Sequence, residues 1–89
     1  MNNTITDKVL AQLKTLYPHR NFGVGFSSIE NSIVIKADAE TDLDKNDLDL
    51  LCKICRGKVF ENKLVKRGKP YKDEVRTIKI QLYYGTIIK

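Results

Sequence analysis

Eighty-nine residues, 42% of them hydrophobic and 30% charged, with five Gly, two Pro and no Trp, make a chain too apolar to be disordered and too short for two cores. The formal net charge is +5, unevenly spread: residues 1–50 hold five Lys/Arg against eight Asp/Glu, a balance of −3, and residues 51–89 hold eleven against three, a balance of +8. No window approaches a membrane-spanning apolar run, the first residues lack a basic-then-apolar leader pattern, and two cysteines are too few for a secreted disulfide framework, so a single compact domain, residues 1–89, in a cytoplasmic and reducing setting with no membrane contact is expected.

Residues 4–17, TITDKVLAQLKTLY, place Ile5, Val9, Leu13 and Leu16 on one stripe widened by Leu10 and Tyr17, which predicts an amphipathic helix. Thr4 is a candidate cap, Asp7 suits the positive end of the dipole, and Pro18 ends the helix. The stretch FGVGFSS then alternates Phe22, Val24 and Phe26 against Gly23, Gly25 and Ser27, and IVIKA sets Ile33 and Ile35 against Val34 and Lys36. Two strands joined by SIENS as a hairpin are expected, with the glycines leaving room for a helix to pack closely or for a bulge.

A second helix is expected over 41–57. Thr41 and Asp44 approximate a capping box, Asp42 and Asp44 sit near the positive end and Lys53 and Arg56 near the negative end, Leu48, Leu51, Cys52 and Cys55 form its apolar stripe, and Gly57 is a fitting stop. KVFENKLVK, the turn-rich RGKPYKDE and VRTIKIQLYYG predict a second hairpin, with Ile78, Ile80, Leu82 and Tyr84 inward and Thr77, Lys79, Gln81 and Tyr83 outward. The order α-β-β-α-β-β implies an α+β fold with two helices packed on one face of a mainly antiparallel four-stranded sheet, whose strand order the sequence leaves open.

No stretch carries recognisable catalytic, metal or nucleotide chemistry. The CKIC motif lies at the C-terminal end of its helix, where the dipole raises a thiol pKa, and lone His19 cannot complete a zinc set; packing explains both cysteines. The acidic run from Asp38 to Asp49 has Leu43 and Asp49 where a calcium loop needs Gly and Glu, so helix capping and a solvated face account for it. FGVGFS leads into strand and turn rather than opening a helix, which excludes the dinucleotide fingerprint. No cofactor, metal or enzymatic activity is expected.

The basic hairpin remains. Lys63, Lys66, Arg67, Lys69, Lys72, Arg76 and Lys79 gather on it, with Tyr71 at the turn and Tyr83 on the outward face. Phosphates attract such charge irrespective of base sequence, and Tyr rings can stack on unpaired bases. The expectation is a small non-enzymatic nucleic-acid-binding protein, DNA or RNA, that grips the phosphate backbone with these nine residues. The alternative is a protein-interaction module, an accessory subunit or a phage-type inhibitor of a host enzyme, that meets a protein partner or a second copy of itself through its charged faces or a sheet edge. Lysines that merely keep an edge strand soluble are the plain explanation against both.

Overall fold

A computed structural model describes residues 4–68, 70 and 73–83. Helix α1 (Thr4–Leu16) leads through Tyr17 to the hairpin β1 (Phe22–Ser27) and β2 (Ser32–Asp38), and helix α2 (Lys45–Cys55) leads to the hairpin β3 (Gly57–Lys66) and β4 (Glu74–Leu82). All four strands form one antiparallel sheet in the order β1-β2-β4-β3, so the two hairpins join through β2 and β4 and the short β1 and the ten-residue β3 are its edges. The α+β class and the two-helix, four-strand architecture read from the sequence are those of the structure. No described helix is long and apolar enough to cross a membrane.

Val9 and Leu13 of α1, Leu51 and Cys55 of α2, Ile33 and Ile35 of β2 and Ile78, Ile80 and Leu82 of β4 form one buried cluster, with Leu43 from the loop before α2. Ile33 faces Ile80 and Ile35 faces Ile78, so β-branched pairs line the sheet centre beneath both helices. Phe22, Val24 and Phe26 pack against this cluster from β1. Gly23 and Gly25 therefore lie on the other face, where an added Cβ at either would meet nothing within 4 Å; they do not make room for a helix.

The second helix is shorter than its periodicity suggests. Thr41 N–H donates to Asp38 O in a turn, and α2 starts only after Asp44, whose backbone is extended and whose side chain makes no cap bond. The capping box is thus absent. Tyr17 supplies the local anchor instead: its hydroxyl donates to Asp47 Oδ2 and accepts from Asp44 N–H, while its ring meets Phe22 edge-on at 6.0 Å. At the other end Arg56, not Gly57, takes the left-handed conformation with φ 57°, and its N–H donates to Cys52 O. Gly57 opens β3 because a side chain there would strike the Gln81 carbonyl oxygen and Ile80 Cγ2. One extra residue at Phe60 between Val59 and Glu61 makes a β-bulge in β3. The Thr4 side chain and Tyr84 lie outside the described residues.

Candidate nucleic-acid interface

With both helices on one face, no helix or strand among the described residues covers the opposite face of the sheet, and the strand registers set its side chains in rows. One row runs Gly23, Lys36, Thr77, Lys63 from edge to edge; the next runs Gly25, Val34, Lys79, Glu61; the third runs Ser27, Ser32, Gln81, Lys58. At the far end Asp38, Val75 and Val65 form a fourth. Directly opposed residues in a row are close enough for side chains to interact, so this face is a defined surface rather than four separate strands.

Lys79 is the most constrained cation on it. Its Nζ lies 3.1 Å from Glu30 Oε1 and 3.4 Å from Oε2, and 3.9 Å from Glu61 Oε2, with the side chain 22% exposed. Gln81 Nε2 donates to Glu30 O and Asn31 O, which ties the β1–β2 turn down over this end of the face. Asn31 permits that turn by adopting φ 50°, a conformation its side chain type tolerates. Lys63 Nζ reaches the same Glu61 only at 3.8 Å and is 61% exposed. Lys36 is exposed and has no carboxylate within 4 Å among the described residues.

The remaining hairpin cations stand outside these rows, although Lys66 and Arg67 reach the wall of a concavity that also holds Lys36 and Thr77. Lys66 and Arg76 have the register of the helix-side face, at the end of the hairpin beyond the buried cluster, in line with Leu64 and Asn62. Arg76 Nη1 donates to Asn62 Oδ1 at 3.1 Å while its Nε is buried with no hydrogen-bond partner among the described residues. Arg67 closes the strand ends: Nε donates to Asp73 Oδ1 at 2.9 Å and its N–H to Asp73 O. Tyr83, two-thirds exposed, stands at the opposite end of the molecule beside the α2 C-terminus, where it lines a depression with Asp49, Cys52, Lys53 and Arg56. Lys69, Tyr71 and Lys72 lie outside the described residues. The structure thus brings Lys63 and Lys79 together, separates Arg76 and Tyr83 from them, and adds Lys58 from the same hairpin and Lys36 from β2, which lies outside it.

Charge on the helix layer is close to balanced, with Asp7, Asp42, Asp44, Asp47 and Asp49 offset by Lys8, Lys14, Lys45, Lys53 and Arg56, and the opposite sheet face carries Lys36, Lys58, Lys63 and Lys79 against Glu30, Glu61 and Asp38. Two concavities indent that face, of about 450 and about 560 Å³, and both include Lys36, Val65 and Thr77 in their walls.

The cysteines are built as packing. Cys55 is buried, its Sγ donates to Leu51 O at 3.1 Å, and burial pushes its thiol up to about 11; burial also raises the half-buried Cys52. The two thiols are unbridged, and among the described residues no cluster of three or more His, Cys, Asp or Glu could hold a metal ion. No known protein family, curated protein or solved structure matches this chain, so its surface chemistry alone must argue for a function.

Proposed function

We propose that this chain is a small, non-enzymatic nucleic-acid-binding protein that holds the phosphate backbone against the uncovered face of its sheet. The observation that carries the reading is the placement of Lys36 and Lys63 in one cross-strand row on the face opposite the helices, where Lys36 has no carboxylate within 4 Å among the described residues. Lysine ammonium groups are point charges that pair with phosphate whatever the base, so binding is expected to be insensitive to sequence. Lys58 stands on the same face of β3, and Lys66, though of the opposite register, lines the concavity that holds Lys36 and Thr77. Two unbridged thiols suit a reducing, cytoplasmic location.

If Lys36, Lys58, Lys63 and Lys66 each neutralise one phosphate, log affinity falls with log salt at a slope of about −3.6 on duplex DNA. A fourfold rise in salt then weakens binding about 150-fold. Fluorescence anisotropy on generic DNA and RNA, single- and double-stranded, measures this; absence of binding at low salt refutes the reading.

A second reading, docking to a protein partner, is favoured by one observation: edge strand β3 exposes Phe60, Leu64 and Val65 along its length. What copurifies separates the two. Nuclease-sensitive nucleic acid supports the first, and a stoichiometric, nuclease-resistant protein or self-dimer supports the second.

A further inference from the structure

Within that face one constellation is more specific than a diffuse positive field. Thr77 is only 5% exposed yet has the register of the uncovered side, directly between Lys36 on β2 and Lys63 on β3. Neighbouring strands are about 4.8 Å apart, so the two lysine Cα atoms stand about 10 Å apart across the threonine, a span that two flexible stems can close from either side. The two concavities overlap at this point, sharing Thr77, Lys36 and Val65. One row further on, Glu30 holds Lys79 at 3.1 Å and Glu61 lies between Lys79 and Lys63, so these carboxylates bound the constellation on that side.

We propose that Lys36, Thr77 and Lys63 form a seat for one phosphate oxyanion, two ammonium groups closing on it over the threonine. This deepens the proposed function and rests on its reading of the face as the side that meets phosphate. The ligand class is a phosphate group with free non-bridging oxygens, whether in a phosphodiester backbone or in a free phosphate compound. Lys79 acts by position, holding Glu30 at 3.1 Å and sharing Glu61 with Lys63, which lies 3.8 Å from that carboxylate and must exchange it for the phosphate when the seat fills.

Amide NMR of the full chain titrated with pyrophosphate, and in parallel with a short DNA duplex, tests the seat. Saturable shifts centred on Thr77 and its cross-strand neighbours are expected with both probes. K36Q/K63Q is expected to weaken pyrophosphate about tenfold or more, and K36R/K63R to retain binding. On the duplex, K36Q/K63Q should flatten the salt slope by about 1.8. The arginine variant separates lost charge from lost fold, and native amide dispersion in both variants checks folding directly. Pyrophosphate shifts that are absent, lie elsewhere, or survive K36Q/K63Q overturn the seat. Duplex binding unchanged in K36Q/K63Q also overturns it, while leaving nucleic-acid binding to be carried by other cations. Seating of pyrophosphate by a protein that binds no duplex or single strand supports the seat and refutes the proposed function, identifying a free phosphate compound as the ligand.

Discussion

Gly57→Ala isolates the junction on which β3, and with it the basic strip, depends. A Cβ at position 57 would lie 2.7 Å from Ile80 Cγ2 and closer still to the Gln81 carbonyl oxygen. The methyl contact could yield by a rotamer change, but the carbonyl belongs to the central strand β4 and cannot. The start of β3 must therefore retreat from Leu82, its register partner, and strain the turn in which Tyr83 N–H donates to Arg56 O. Overpacking against backbone belongs at the upper end of its usual cost, about 3 kcal/mol. For a chain of this size that lowers the thermal midpoint by about 12–24 °C. Thermal unfolding followed by far-UV circular dichroism measures it, with Gly23→Ala as control, since the added Cβ there meets nothing and stability should change by about 0.5 kcal/mol or less. A loss below about 1 kcal/mol in Gly57→Ala would mean that β3 tolerates displacement and that close approach is not why glycine stands there.

Two further predictions concern titratable groups. Burial first, and then the bond to Asp47, raise the Tyr17 phenol above its ordinary value of 10.0. Because the folded pKa is the higher, the associated stabilisation is complete below about pH 10 and is lost as pH rises through the folded value. Tyr17→Phe should cost about 1 kcal/mol at pH 7 and make the alkaline decline shallower, as read by urea midpoints across pH 8–11; an unchanged midpoint would show that the hydroxyl anchors nothing. Iodoacetamide at pH 8 should modify Cys52 slowly and Cys55 more slowly still, as followed by mass spectrometry, and rapid labelling of both would contradict the packing around them.

Periodicity made the elements legible because each buries one stripe or one alternate set: Val9 and Leu13 on α1, Leu51 and Cys55 on α2, Ile78, Ile80 and Leu82 on β4. Ends were less legible. Thr41 and Asp44 satisfy a capping rule by spacing, yet Thr41 is consumed by the turn to Asp38, and a tyrosine from the other helix does the anchoring. Gly57 obeys the rule for a helix stop while standing there for β4, a partner some two dozen residues away. The candidate site was legible only as charge. That Lys79 is held by Glu30, 49 residues away, and that Arg67 is held by Asp73, depends on register and turn geometry. Lys36 escaped notice because it stands in the acidic half of the chain; only the pairing of β2 with β4 carries it beside Thr77.

That same pairing governs how the molecule assembles. Each hairpin pairs strands that are neighbours in sequence, and each is preceded by its helix. Neither half is complete, because β2 and β4 each leave an edge open until they meet across about forty residues of intervening chain. Joining the hairpins at Ile33, Ile35, Ile78 and Ile80 therefore carries a loop-closure cost that a local turn does not, which predicts that this pairing limits the folding rate. Until that joint forms, Lys36 and Lys63 belong to separate pieces of chain, and the row that sets them on either side of Thr77 does not yet exist.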